Sequence, residues 1–189
     1  EEMIYRYSFR ADHYVYEIRH NKVTKLSDEG QEEIATFSPD GRMVAFVYQN
    51  NIYIKKLDYG SVVPVTKDGK VNEIINGVPD WVYQEEFGLL NGLAWSPDCL
   101  TLSFLRWDER EVPMYGLNIY EGACNQQTQY ALDPGRFEYK YPVAGEKNAA
   151  VSVVSYDVDN RTLKTMKLPI DADGYIPRIK YATTSDRLM

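Results

Sequence analysis

Two histidines and two cysteines in 189 residues leave little with which to build a metal centre or a disulfide framework. Cys99 and Cys124 stand at no ligand spacing, and a bridge between them and two free thiols are both open readings. His13 and His20 lie near turns in the first twenty residues and read as surface side chains rather than as a base or a ligand. The chain has no Gly-x-Ser-x-Gly elbow, no phosphate-binding loop, no dinucleotide glycine fingerprint and no His-Glu-x-x-His pair. It therefore offers no identifiable nucleophile, and neither a cofactor nor a metal is expected. Asp171-Ala172-Asp173-Gly174 lacks the glutamate that closes a calcium loop and reads as a plain turn. No apolar run reaches the roughly 18 residues that a membrane-spanning helix needs. Glu1-Glu2-Met3 opens without a basic-then-apolar leader, so any signal peptide is expected to be removed already or to lie outside this stretch. Basic residues are also scarce: 21 Lys and Arg against 28 Asp and Glu give a net charge of -7. That balance argues against a nucleic-acid partner, which needs a basic stripe to displace counterions. It suits cationic ligands, peptide amines among them.

What is present is a β-rich soluble composition. At 189 residues, 44% of them hydrophobic, the chain is long enough for one domain with a real core, or for part of a larger one. Sixteen tyrosines against six phenylalanines suit aromatics on half-exposed strands. Met3 to Ile18 alternates as aromatic-rich strands around a turn at Ala11-Asp12-His13, with Arg6 inside the first of them. A repeat then emerges. Ile34 to Phe37, a Ser38-Pro39-Asp40-Gly41 turn, Met43 to Tyr48, an Asn50-Asn51 turn and Ile52 to Ile54 make strand, turn, strand, turn, strand. The pattern returns as Leu93 to Trp95, Ser96-Pro97-Asp98-Cys99 and Thr101 to Leu105, with Cys99 in the place of glycine. A weaker copy starts at Ile176 and reaches Met189 with its second strand not begun.

Repeated short antiparallel strands in four-stranded units predict a β-propeller. The fold class expected is all-β, a propeller fragment of about two to three four-stranded antiparallel blades. Blade units fall at about 1–70 and 90–170, with an incomplete one from about 175. The two Ser-Pro turns are 58 residues apart, beyond the roughly 40–50 of an ordinary blade. A helix inserted between blades, at about 79–88, takes up the excess. The stretch from Gly116 to Tyr141 also departs from blade spacing, and a connection this long inside a compact domain usually carries a function or a contact.

The inserted segment, Asp80-Trp81-Val82-Tyr83-Gln84-Glu85-Glu86-Phe87-Gly88, organises the functional reading. Asp80 is a candidate helix cap and Gly88 a candidate left-handed terminator. On a helical turn the side chains of Glu85 and Glu86 stand about 100° apart, so both can reach one cation. In a strand they would point to opposite faces. Two converging carboxylates repel unless a positive group lies between them, and a primary ammonium with three donors fits. Adjacent acidic residues are also common on solvated faces, and Glu32-Glu33 is expected to be such a pair.

Asn76-Gly77-Val78-Pro79-Asp80-Trp81-Val82-Tyr83-Gln84-Glu85-Glu86, then Trp95-Ser96-Pro97, Glu111-Val112-Pro113 and Tyr141 to Asn148, resembles the N-terminal propeller of the dipeptidyl peptidase IV family, within the prolyl oligopeptidase superfamily. The resemblance runs in order over essentially the whole chain. It implies a serine exopeptidase that releases Xaa-Pro or Xaa-Ala dipeptides from free peptide N-termini. In that family an eight-bladed propeller covers an α/β-hydrolase domain holding a Ser-Asp-His triad. That domain is absent here, so no catalytic residue is expected in this chain and the chain alone should be inactive. The resemblance places the substrate α-ammonium on Glu85 and Glu86 and the carbonyl of the substrate's first residue on Arg6. It implies homodimerisation through the arm at 116–141 and a bacterial periplasmic or cell-surface location. Gln84 departs from relatives that carry a third glutamate there. Two rivals remain: a non-catalytic propeller that binds peptides or acts as a scaffold, and a glycosidase. The second fits poorly, because glycosidase carboxylates face each other from separate elements about 5–10 Å apart.

Overall fold

The computed structural model describes residues 1–119, 135–171 and 173–189. In chain order the strands are β1 (Glu2–Met3), β2 (Phe9–Arg10), β3 (Tyr14–Glu17), β4 (Lys22–Lys25), β5 (Glu33–Phe37), β6 (Met43–Tyr48), β7 (Asn51–Lys56), β8 (Ser61–Pro64) and β9 (Ile74–Asn76). The single helix among the described residues, α1 (Trp81–Glu85), follows. After it come β10 (Leu93–Trp95), β11 (Thr101–Asp108), β12 (Met114–Ile119), β13 (Gly135–Lys140), β14 (Ala150–Asp157) and β15 (Thr162–Thr165). Among the described residues the protein is all-β apart from that one short helix, and every strand pairing there is antiparallel.

Two four-stranded meanders carry the fold, ordered β5-β6-β7-β8 and β10-β11-β14-β15. Alternation along each central strand divides its side chains between two cores. In β6, Val44 and Phe46 face Leu26 and the β3-β4 side, whereas Ala45 and Val47 face the second sheet. In β11, Leu102 and Phe104 meet Ala45, Val47, Ile52 and Ile54 of the first sheet, and Leu105 and Trp107 face the other way. The two sheets therefore pack face to face, as neighbouring propeller blades do.

The Ser-Pro-Asp turns form as their residues require. Ser38 Oγ donates to Asp40 Oδ1 at 2.6 Å and accepts from the Met43 N–H at 2.9 Å. Ser96 Oγ, Asp98 Oδ1 and the Thr101 N–H repeat those bonds at 2.6 and 2.9 Å. The tight turn after β6 is shifted by one residue from Asn50-Asn51: Gln49 and Asn50 take positive φ, and Asn51 already pairs with Tyr48. A two-residue hairpin turn of this hand matches the strand twist. Asn51 instead uses its side chain, accepting from the Gly69 N–H at 2.8 Å and from Thr66 Oγ1 at 3.1 Å.

The helix insertion lies inside a strand, not between blades. β14 lines one edge of β11 along its whole length, and β9 and β10 share the other edge. Ile74–Asn76 pair with Arg106–Asp108, and Leu93–Trp95 pair with Leu102–Phe104. The first strand of the second blade is thus split in two, with the helix extruded from the break. At the neck, the Gly92 N–H donates to the Gly77 carbonyl at 2.8 Å, and both glycines still bond Leu105. A Cβ on Gly92 would lie 2.7 Å from the Gly77 oxygen, so only glycine closes this neck without displacement.

Between β11 and β14 the chain runs out and back as a two-stranded ribbon, β12-β13, in register from Met114↔Lys140 to Ile119↔Gly135. The outer part of the expected arm, including Cys124, lies outside the described residues. The last segment forms a small hairpin closed by reciprocal backbone bonds between Lys180 and Met189, with no full strand.

Candidate functional site

The helix is seated by its own short sequence. Asp80 caps it, accepting from the Tyr83 N–H at 2.9 Å. Gly88 takes φ +63, and the Leu89 N–H returns to the Tyr83 carbonyl at 2.9 Å to end it. Tyr83 anchors the helix from beneath. Its ring lies 5.3 Å from Trp107 edge-on and 5.2 Å from Phe87, and its hydroxyl accepts from the buried Ile176 N–H at 2.9 Å. Burial pushes the Tyr83 phenol up to about 12, so it remains neutral. Gln84 is buried, and its Nε2 donates to the Pro79 carbonyl at 2.6 Å. With Tyr83 and Gln84 turned inward, Glu85 and Glu86 occupy the opposite side: Glu85 is half-buried and Glu86 exposed.

Arg6 reaches this helix from the other end of the chain. Its alternating neighbours predict a strand, but it sits in the bend between β1 and β2. There the Ile4 N–H bonds the Ser8 carbonyl at 2.8 Å and the Tyr5 N–H bonds Ser8 Oγ at 3.3 Å, folding the alternating sequence into a loop. Arg6 Nε lies 3.5 Å from Glu85 Oε2, and the Arg6 backbone N–H lies 3.4 Å from Glu85 Oε1. Arg6 and Glu85 are therefore brought together across 79 residues, and Glu86 stands beside them with no ion-pair partner among the described residues.

The ribbon braces both walls. Trp81, on the helix, meets Tyr141 edge-on at 4.6 Å, and Tyr5, next to Arg6, lies 6.4 Å from Tyr139. Tyr115 completes the run, 5.3 Å from Tyr141 and 6.2 Å from Tyr139. Sequence reasoning treated this stretch as an arm and did not connect it with the site. The tyrosines at alternate positions 139 and 141 were the available signal.

Beneath the helix lies a feature that the sequence reading missed, a cavity of about 130 Å³ lined by Asp80, Glu109, Glu33, Gln84 and Tyr5 among others. Burial pushes the Asp80 carboxyl up to about 6, against the pull of the Tyr83 and Val82 N–H groups. Burial and the nearby Asp80 charge push Glu109 up to about 8, with Lys140 opposing. Burial also raises Glu33 against its ion pair with Arg10, at 3.2 Å. Glu32-Glu33 is consequently not a solvated pair: both are buried, and Glu32 binds the His13 N–H at 3.1 Å and faces His13 Nδ1 at 3.3 Å. His13 is half-buried by that pairing, whereas His20 is exposed. Cys99 is buried as a free thiol.

A family model described as the dipeptidyl peptidase IV (DPP IV) N-terminal region matches residues 1–189. The chain belongs to the dipeptidyl peptidase IV family. Dipeptidyl-aminopeptidase B of Aspergillus niger is 33% identical over 180 residues, covering 90% of this chain and 20% of that protein. The crystal structure of Porphyromonas gingivalis dipeptidyl peptidase 4 matches with a TM-score of 0.90 at 51% identity, over 99% of this chain and 26% of that one. The chain thus spans about a fifth of the curated relative and a quarter of the solved one. Its sheets are those of the N-terminal propeller region of dipeptidyl peptidase 4, and its relatives are named as peptidases.

Proposed function

We propose that this chain is the propeller portion of a serine-type dipeptidyl peptidase and that it holds the free N-terminus of the peptide. The full-length protein would remove Xaa-Pro or Xaa-Ala dipeptides. A C-terminal α/β-hydrolase domain of the same polypeptide would supply the Ser-Asp-His triad. Homodimerisation through the 116–141 arm and a periplasmic or cell-surface location belong to the same reading.

The observation that carries it is the charge count of the Arg6–Glu85–Glu86 group. Arg6 engages both oxygens of Glu85 and leaves Glu86 open. Two carboxylates and one guanidinium leave one negative charge uncompensated, and one α-ammonium would balance it. The three ammonium donors can divide between the two glutamates. Arg6, held through its Nε and backbone N–H, keeps its remaining guanidinium donors for the carbonyl of the first substrate residue. A clamp fixed at one distance from a nucleophile measures off two residues. A blocked or extended N-terminus would bring no charge to the carboxylates and would meet the helix, and that mismatch is the source of selectivity. Orienting the peptide also lowers the barrier by positioning.

The test is hydrolysis of a Gly-Pro chromogenic amide and of its N-acetylated twin by the full-length protein. The free amine should be cleaved and the acetylated compound left intact. Glu85→Gln should raise KM and lower kcat/KM for the free amine by about tenfold to a hundredfold, the range for one charge-assisted hydrogen bond. Equal cleavage of both compounds would remove Glu85 and Glu86 from the site. Cleavage of neither would leave a peptide-binding scaffold as the better reading.

A further inference from the structure

The cavity beneath α1 joins the two halves of the candidate site. Asp80 lines it and caps the helix that carries Glu85, and Tyr5 lines it one residue before Arg6. Glu109 lines it from the end of β11, 6% exposed and fixed on both sides by backbone bonds. Its N–H donates to the Glu73 carbonyl at 2.7 Å, and its carbonyl accepts from the Val112 N–H at 3.0 Å.

The lining mixes acceptors with donors, the amides of Asn50 and Asn72 and the phenols of Tyr5 and Tyr139 among the donors, yet one buried acceptor in it goes unmet. Gln84 is 3% exposed, and because its Nε2 is held by the Pro79 carbonyl, its Oε1 is left with no hydrogen-bond partner. The two cations that face the cavity are already engaged: Arg10 with Glu33 at 3.2 Å, and Lys140 Nζ with the Val112 carbonyl at 2.6 Å. The remaining titratable groups around it are Tyr5 and Tyr139, both held neutral by burial. A buried acceptor without a donor is relieved by a proton on a neighbouring carboxyl or by water, and about 130 Å³ has room for water.

From this placement we infer that Glu109 is a positioning residue of the ammonium site, acting through Asp80 under the helix and Tyr5 beside Arg6, and that its protonation state sets the alignment of Arg6 with Glu85. This rests on the ammonium-site reading above. Neutral Glu109 can donate within the cavity, where Gln84 Oε1 lacks a partner, and leaves Asp80 free to cap. Ionised Glu109 adds a further negative charge to the cavity beside Asp80 and withdraws that donor, so the helix cap and the Tyr5–Arg6 loop are pushed apart. The group is neutral below about pH 8 and ionised above it. The loss therefore falls on the alkaline side. It appears as a rise in KM, because the hydrolytic chemistry lies elsewhere.

The substrate's own amine also titrates near pH 8, so the decisive quantity is the ratio of wild type to variant on one substrate. With the full-length protein and a free-amine Gly-Pro amide, kcat/KM would be followed from pH 6 to about 9.5 for wild type, Glu109→Gln and Lys140→Met. The wild-type to Glu109→Gln ratio should be flat to about pH 7. It should then fall along a one-proton limb to about a tenth of that value by pH 9, carried by KM. Lys140→Met, which removes the cation opposing the shift, should move the wild-type limb to higher pH. It decides the matter independently if Glu109→Gln fails to fold. Parallel profiles for all three proteins, with discrimination against the N-acetylated substrate intact, would overturn the role of Glu109 and leave the ammonium site standing. Loss of that discrimination in the wild type would overturn the ammonium site itself.

Discussion

The two packed sheets start from the same plan and treat it differently. β5-β6-β7-β8 is a plain meander whose connections are short turns between Glu33 and Pro64. β10-β11-β14-β15 has the same order, but its first strand is split by the helix and its central connection is drawn out into a ribbon. The core between the sheets is built mainly from their own strands, Leu102, Phe104, Val154 and Tyr156 packing on Ala45, Val47, Ile52 and Ile54, and the helix excursion adds Val78 to it. Both excursions leave near the Arg106–Asp108 end of β11, and they meet each other. Trp81 of the helix packs on Tyr141 after the ribbon, and Tyr139 of the ribbon packs towards Tyr5. A frame whose core is set mainly by its own strands can thus carry added elements, and the site is formed where those elements touch. This is the usual separation of scaffold from function.

The comparison breaks most severely at the neck of the helix excursion. Gly92→Ala would place a Cβ 2.7 Å from the Gly77 oxygen and 2.9 Å from the Trp107 ring. One of these is backbone in a 2.8 Å hydrogen bond, and the other is a fully buried indole. Neither yields easily, so the expected cost is about 3 kcal/mol, at the upper end of overpacking. The measurement is the unfolding midpoint of the propeller transition in the full-length protein. The same variant should raise KM for a free-amine substrate, because Glu85 and Glu86 ride on the displaced loop. A stability loss with unchanged KM would mean that the helix keeps its seat independently of its neck.

Tyr83→Phe tests the seat itself and should have a smaller effect. The ring contacts with Trp107 and Phe87 survive, but the buried Ile176 N–H loses its acceptor. An orphaned buried donor costs about 1–3 kcal/mol. The same unfolding measurement reads it, and a cost near zero would imply that water enters to replace the hydroxyl.

Much of this was legible in the sequence, because local chemistry dictated it. Asp80 and Gly88 bound the helix as their capping preferences require, and the Ser-Pro-Asp turns form through Ser and Asp side chains that can do little else at those spacings. What escaped the reading depends on long-range partners. Arg6 lies in a loop because Ser8 offers its hydroxyl and carbonyl to the preceding N–H groups, and strand alternation alone cannot register that. Glu32 and Glu33 are buried because Ala11, His13 and Arg10, some twenty residues earlier, come to them. Glu109 carries no motif at all, and its environment is made by Asp80 and Lys140 from two other elements. The split of one strand into β9 and β10 was hidden because a strand interrupted by a helix has the same composition as two separate strands.

The finest difference between the two sheets is one residue in their matching turns. Gly41 and Cys99 occupy the same position, at φ +71 and +64, and each donates its N–H to the turn serine carbonyl, at 2.8 and 2.9 Å. A Cβ on Gly41 would find nothing within 4 Å, so Gly41→Ala isolates the backbone penalty of a left-handed L-residue, about 1–2 kcal/mol. Cys99 already bears that penalty, and it buries its thiol in return, with Sγ 3.9 Å from the Pro97 carbonyl. Cys99→Gly relieves the strain but gives up the buried sulfur and frees the unfolded chain, so the opposing effects should leave stability within about 1 kcal/mol of wild type. Unfolding midpoints of the two variants side by side therefore separate backbone from side chain. A loss at Gly41 and near-neutrality at Cys99 would show that the second turn tolerates cysteine because the side chain compensates for it. Equal losses at both would mean that the thiol, held between the two blades' turns, contributes more than its small buried surface implies.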